Sequence, residues 1–210
     1  MSATTFEVNW KRQYAVKRAM DVAVTVLALI ILSPLLIAVA VLVKLDSAGP
    51  VLFRQERLGK DGKPFQMLKF RSMYTREVDL PPELLALNEA TGPLFKLRRD
   101  PRITRVGRLI RRASIDELPQ LINVLKGEMS IVGPRPPLAR EILGYENEQM
   151  ARLRVTPGIT GLWQVSCRRI FSFDEMVELD LEYMQSQNLL LDLKIMVLTL
   201  PAMVNRNRAC

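Results

Sequence analysis

The residues best equipped for chemistry in this chain are Asp116 and Glu117, adjacent carboxylates within Ser114-Ile115-Asp116-Glu117-Leu118-Pro119-Gln120. Two accounts fit them. In the first, Ser114 and Glu117 have the spacing of a capping box, so Glu117 bonds backbone and Asp116 complements the helix dipole. In the second, the pair sits at a helix N-terminal end beside Arg111 and Arg112, and both influences favour the ionised form. An ionised carboxylate is a poor proton donor at neutral pH, but it can act as a nucleophile or a metal ligand.

Around the pair, basic residues supply candidate phosphate contacts. Lys96, Arg98, Arg99, Arg102, Arg105, Arg108, Arg111 and Arg112 face only Asp100 between positions 96 and 112. Most of these eight suit a solvated face or an anionic membrane surface. Arginine's planar fork matches phosphate oxygens, and Arg111 is the best placed because it comes just before the carboxylates. Three other positions stand out: Lys69-Phe70-Arg71 at the end of an expected strand, Arg135 between Pro134 and Pro136, and Arg168-Arg169 after a Trp-Gln segment. Each, taken alone, could be an ordinary surface charge.

Composition narrows the chemistry. The chain has 210 residues, room for one sizeable domain or one domain plus an appendage. With no histidine, Ser–His–Asp chemistry, Cys–His pairs and HExxH zinc sites are excluded. Its two cysteines, Cys167 and Cys210, form no CxxC, which argues against a thiolate zinc site or a disulfide framework and suits a reducing compartment. Neither GxxxxGK[ST] nor GxGxxG is present. The net charge of +8 points to an anionic partner: nucleic acid, lipid headgroups or a phosphorylated substrate.

The elements expected to position these residues follow from local signals. Residues 51–55 and 64–70 read as two short strands, and Gly59-Lys60-Asp61-Gly62 between them suggests a hairpin. Pro81-Pro82 opens a short helix or loop. Helices are expected over 105–112, within 114–126 with a stop at Gly127, over about 141–154, and from the capping box Ser172-x-x-Glu175 to about 187. Gly133-Pro134-Arg135-Pro136-Pro137 must be a stiff loop, and residues 157–161 read as a turn. Residues 189–204 are apolar but interrupted by Asp192, Lys194, Thr199 and Pro201, so they pack on the domain or lie in a membrane interface rather than cross it.

The loudest element is the run Val22 to Val43, 22 residues without a charge, 19 of them apolar. As a helix it would reach about 33 Å, the thickness of a hydrocarbon core. It is too long for a signal-peptide core. Before it, Arg18 and Asp21 are spaced to pair across one turn. Pro34 removes the hydrogen bond to the Ile30 carbonyl and predicts a kink, with a nearby serine or a local adjustment able to satisfy the freed oxygen. Lys11, Arg12, Lys17 and Arg18 precede the run, and Lys44, Arg54, Arg57, Lys60 and Lys63 follow it. Positive charge on both flanks asks for both ends in the cytoplasm. A re-entrant helix satisfies that, and a signal anchor with a tolerated proline is the alternative.

Taken together, these segments resemble the bacterial sugar transferases, the monotopic phosphoglycosyl transferases that begin polyprenol-linked glycan assembly. The matching stretches are Lys17-Arg18-x-x-Asp21, Leu32-Ser33-Pro34, Gly49 to Gln55, Lys69 to Met73, Ser114 to Gly127, Met129 to Pro136 and Pro157 to Val165. The resemblance runs from about residue 15 to 200. It implies an α+β, predominantly helical fold: a re-entrant membrane helix broken at Ser33-Pro34 (residues 1–47), then a catalytic domain (48–210) with a small β-hairpin and interfacial helices. That domain would lie on the cytoplasmic face of the bacterial inner membrane.

The resemblance also implies the reaction. Asp116 and Glu117 match the family's catalytic pair, in which the aspartate attacks the sugar-bearing phosphorus of a UDP-sugar. UMP leaves, and polyprenol phosphate then takes the sugar phosphate as the first membrane step of surface glycan assembly. Mg²⁺ is expected, held by Asp116 and Glu117. Lys69, Arg71, Arg111, Arg135 and Arg168 match substrate-binding positions. Cys167 departs from the family's usual glycine before the arginine, a strained choice if that position needs a positive φ. Without the further membrane helices of longer members, the chain looks like a short form or catalytic core. Nucleic acid is not an expected partner, and homo-oligomerisation is left open. The competing class is a non-catalytic, membrane-anchored basic module for anionic lipid or nucleic acid. It accounts for the charge and the anchor, but not for Asp-Glu beside arginines, and the 6% aromatic content offers little for base stacking.

Overall fold

A computed structural model describes residues 3–74, 97, 100–166 and 172–204, with the side chains of 3–13, 147, 148 and 204 outside the description. The expected element at Pro81-Pro82, the basic residues Lys96, Arg98 and Arg99, and the segment Cys167-Arg168-Arg169 therefore lie outside the described residues.

Helix α1, Ala3–Asp46, contains the apolar run and carries Pro34 within it. The helix is continuous across the proline, where the resemblance implied a break at Ser33-Pro34: the backbone stays helical through both residues. The Ser33 hydroxyl donates to the Ile30 carbonyl at 2.8 Å, satisfying the oxygen that proline leaves without its amide. Leu27, Ile30, Ile31, Ile37, Val41 and Leu45 are exposed, an apolar surface no part of the described chain covers.

α1 is tied down on either side of its apolar run. Near the start, Lys17 Nζ lies 2.7 Å from Asp192 Oδ2, and Asp21 accepts from Ser130 Oγ at 2.8 Å and from the Ile131 amide at 3.3 Å. Arg18 does not pair with Asp21 as its spacing suggested. It donates instead to the carbonyls of Val124 and Leu125, near the negative end of another helix, and Lys17 sits 3.9 Å from Asp21. Near the end of α1, Val39 and Val43 pack with Phe70 and Ile110, and Asp46 accepts from the Val106 amide at 3.0 Å.

Strands β1 (Leu52–Leu58) and β2 (Pro64–Phe70) form the antiparallel hairpin, with Phe53, Gln55 and Arg57 opposite Lys69, Met67 and Phe65. The turn places Asp61 and Gly62 at φ 58° and 71°. Helix α2 (Arg105–Arg112) begins at Thr104, whose hydroxyl accepts from the Gly107 amide. Helix α3 (Gln120–Lys126) stops at Gly127 with φ 82°, the left-handed cap that glycine allows.

β3 (Ser130–Val132) and β4 (Gly158–Thr160) pair in parallel, although the second reads as a turn from sequence. Runs this short carry no periodic signal. The pairing depends on glycine: a Cβ on Gly158 would lie 2.1 Å from the Gly133 nitrogen. The helix expected over 141–154 is instead a 3₁₀ turn at Ile142–Gly144, a single turn α4 (Asn147–Met150) and a 3₁₀ turn at Ala151–Arg154. Gly144 weakens a continuous helix, and the buried Arg152 is drawn inward to Asp180.

After α5 (Leu162–Ser166), helix α6 (Phe173–Ser186) opens on the predicted capping box. Glu175 N donates to Ser172 Oγ at 3.2 Å, and Ser172 N to Glu175 Oε2 at 2.8 Å. The last described helix, α7 (Leu189–Val204), packs Ile195 into the core with Phe65, Met67, Val124, Met129, Val132 and Tyr183. Its other side exposes Leu190, Leu193, Val197 and Leu200.

Candidate active site

The carboxylate pair lies in a 3₁₀ turn, Ile115–Glu117, between α2 and α3. Ser114 does not cap it. Its φ of 53° is in the left-handed region and its side chain makes no capping bond, so the capping-box account of this pair fails. A non-glycine residue held there stores backbone strain, which the tight reversal from α2 into the turn imposes.

Asp116 is only 8% exposed. Burial pushes its carboxyl up to about 6, the neighbouring Glu117 adds to the rise, and Lys69 and Arg111 oppose it. The sequence argued for the opposite direction, from a helix end and nearby arginines. Loss of water outweighs both. The group still ionises around neutral pH.

Glu117 is more open, and the Lys69 ammonium lies 2.6 Å from its Oε1. Lys69 reaches it from the end of β2, so the hairpin and the 3₁₀ turn are joined at the carboxylates. Arg111, on the last turn of α2, is exposed and acts on Asp116 through its charge. Replacing Arg111 by lysine keeps that charge but loses the bidentate fork, so turnover should fall about ten-fold or more, while Arg108→Lys on the same helix should change little. Steady-state rates of the two variants check this. Equal losses would mean the helix contributes only a diffuse field.

Arg71 is placed elsewhere. It is buried, and its guanidinium donates to the carbonyls of Val43 (3.1 Å), Ser47 (2.6 Å) and Ala48, closing the C-terminal end of α1. Ser33 and Pro34 lie within the exposed run of α1. Arg168 lies outside the described residues.

Arg135 is partly exposed on the proline-rich loop, with Nη1 donating to Glu141 Oε2 at 3.0 Å. Beneath it, the buried Arg57 donates from Nη1 to the Pro136 carbonyl at 3.1 Å and from Nη2 to Gln55 Oε1 at 2.8 Å. Burial and Arg135 push the Arg57 guanidinium down to about 10, against the pull of Glu141 and Glu117. Arg57 thus feels the charges of the loop and, from the carboxylate pair, that of Glu117. Sequence reasoning saw Arg57 only as a flanking charge and did not single out Glu141. No local spacing links β1 to a loop some eighty residues later.

Among the described residues, no three carboxylates or cysteines gather as a metal cage. Asp116 and Glu117 form a pair, which suits Mg²⁺, an ion commonly held by one or two carboxylates plus substrate phosphates and water. The arrangement offers a buried carboxylate able to attack an electrophile, a second carboxylate beside it and several cations suited to phosphate oxygens.

Comparison with known proteins places this arrangement. The family model described as bacterial sugar transferase matches residues 12–206. The chain is 45% identical over 185 residues to the galactosyl transferase CpsE of Streptococcus agalactiae, covering 88% of this chain and 41% of that protein. It is 43% identical over 190 residues to the exopolysaccharide production protein ExoY of Sinorhizobium fredii, covering 89% and 84%. To the UDP-glucose:undecaprenyl-phosphate glucose-1-phosphate transferase of Escherichia coli it is 44% identical over 191 residues, covering 87% and 39%. The chain thus spans about two fifths of the first and third relatives and most of the second. With the match running from the first turns of α1 to the end of α7, and so through the carboxylate pair and its basic partners, the chain belongs to the bacterial sugar transferase family.

Proposed function

We propose that this protein moves a sugar-1-phosphate from a UDP-sugar to polyprenol phosphate, with Asp116 as the nucleophile. The observation that carries this is the buried Asp116 carboxyl beside the Lys69–Glu117 pair and within the field of Arg111. Two relatives support it: the undecaprenyl-phosphate galactose phosphotransferase of Salmonella typhimurium and the UDP-glucose:undecaprenyl-phosphate glucose-1-phosphate transferase of Escherichia coli. An Asp116 oxygen attacks the sugar-bearing phosphorus, and the bond from that phosphorus to the bridging oxygen breaks. UMP leaves with the bridging electrons. A phosphate oxygen of the polyprenol then attacks the same phosphorus and releases the aspartate.

Lys69, Arg111 and Arg135 neutralise charge on the phosphates, and Arg168 joins them in this reading. Arg71 contributes by closing the end of α1 on which the hairpin rests. Mg²⁺ held by Asp116 and Glu117 would neutralise diphosphate charge. In this reading the apolar end of the acceptor lies in an open recess of about 490 Å³ lined by Pro50, Val51, Leu52, Phe53, Arg54 and Arg71. Phe53 in its wall stands opposite Lys69 on the hairpin.

Residues 1–47 serve as a re-entrant anchor and 48–210 as the catalytic unit, on the cytoplasmic face of the inner membrane. Asp21 is held by Ser130 and Ile131 and Val43 packs on Phe70 and Ile110, all of the same downstream chain, yet a straight helix between them would rise about 33 Å, a bilayer core. A straight span would put them on opposite sides. Single cysteines at Thr5 and Lys60, in a background lacking Cys167 and Cys210, should therefore both react with an impermeant thiol reagent only from the cytoplasmic side. Periplasmic labelling at position 5 would mean a through-going span. The pathway fed is surface glycan assembly, with the sugar left open. The function is tested by UMP release over a panel of UDP-sugars: release should continue through many turnovers only with polyprenol phosphate present. No release with any sugar would refute it.

A further inference from the structure

The loop Pro134-Arg135-Pro136-Pro137 has three prolines and so only one amide hydrogen of its own. It is held from outside. Four consecutive carbonyls each accept from a different donor: Pro134 from the Gly158 amide at 2.9 Å, Arg135 from Arg152 Nη2 at 3.3 Å, Pro136 from Arg57 Nη1 at 3.1 Å and Pro137 from the Leu58 amide at 2.9 Å. Two of those donors are buried arginines, each with its own partner: Arg152 with Asp180, Arg57 with Gln55. A chain segment fixed so thoroughly presents one side chain, Arg135.

That side chain is fixed as well. Glu141 is 2% exposed, and its carboxylate accepts from Arg135 Nη1 at 3.0 Å, from Arg135 Nη2 at 3.4 Å and from the Leu138 amide at 3.0 Å, with Arg57 Nη1 at 3.9 Å. Two of the five guanidinium donors are thereby committed, and three remain for an anion. A free arginine loses rotamer freedom when it grips phosphate; one already braced loses less.

We infer that Glu141 is a positioning residue: it aims the Arg135 guanidinium at the phosphates of the nucleotide substrate, while Arg57 and Arg152 clamp the backbone beneath. This rests on the phosphate-binding role of Arg135 proposed above. The alternative is that Glu141 only balances buried charge in the fold.

A double-mutant cycle separates the two, read by UDP binding in excess Mg²⁺ by calorimetry as well as by UMP release. Glu141→Gln should weaken UDP binding about ten-fold and raise KM for the UDP-sugar more than it lowers kcat. Arg135→Ala should do at least as much, and the double variant should bind no worse than Arg135→Ala alone. Glu141→Asp keeps the charge but shortens the reach by one methylene, so it should rescue the melting temperature and not the affinity. Additive losses in the double variant, or full recovery of affinity with aspartate, would overturn the positioning role. If the glutamine variant does not fold, the aspartate variant decides alone. If the wild type binds UDP but releases no UMP, the transferase reading fails while the binding cycle still judges Glu141.

Discussion

Asp116→Asn is expected to abolish UMP release, by on the order of 10⁴-fold or more, the scale on which removing a catalytic nucleophile acts. The protein should still extract and melt like wild type. Asparagine matches aspartate in shape, and the position is buried with a carboxyl that burial has already pushed up to about 6, so losing the charge relieves a desolvation cost. No histidine exists to take over as nucleophile or base. Substantial turnover in the variant would remove Asp116 from the mechanism. A variant that is inactive only because it no longer folds would give the residue back to structure.

The second large effect is on stability. Arg152 and Asp180 are a buried ion pair, and Arg152 also holds the Arg135 carbonyl and packs over the Tyr145 ring at 5.8 Å. Arg152→Leu leaves Asp180 without its counter-charge and should cost about 3–5 kcal/mol, a large share of a typical domain's stability. Replacing both residues by leucine should recover much of that loss. The sign of the pH dependence follows from the carboxyl. Burial pushes Asp180 up and Arg152 pulls it down, so without Arg152 its folded pKa rises further above the unfolded value. Protonation then stabilises the folded variant at low pH, and that contribution is lost as pH rises through the folded pKa. The defect of Arg152→Leu should therefore be smaller at pH 5 than at pH 8 in thermal melts. A pH-independent defect would mean that the lost packing of Arg152 dominates over the stranded charge.

Much of the scaffold was legible because its signals are local. The capping box at Ser172 and Glu175, the stop at Gly127, the hairpin turn at Gly59–Gly62 and the serine that answers Pro34 each act within four residues of chain. The carboxylate pair and Lys69 were legible as chemistry, but their meeting was not. It needs the end of β2 to reach a turn 48 residues later. The Asp116 carboxyl is raised rather than lowered because burial is a tertiary property and no sequence spacing reports it. Arg18 left Asp21 for the carbonyls of α3, since a helix end offers it two acceptors and Asp21 is claimed by Ser130. The clamp on Arg135 was hidden for a similar reason. Its members come from β1, from the 3₁₀ turn at Ala151–Arg154 and from Glu141, whose bond to Arg135 spans six residues and follows no helical or strand period.

The central claim is a covalent sugar-phosphoryl aspartate, and mass measurement tests it directly. Purified protein is incubated with a UDP-sugar that it turns over and with Mg²⁺, without polyprenol phosphate, then quenched and digested with trypsin. Cleavage after Arg112 and Lys126 isolates one peptide, Ala113 to Lys126, that holds both carboxylates. The account predicts that this peptide gains the mass of one sugar phosphate, that fragmentation places it on Asp116, and that adding polyprenol phosphate before the quench removes it. An unmodified peptide under conditions where UMP has been released in amounts matching the enzyme, or the added mass on Glu117, would contradict it.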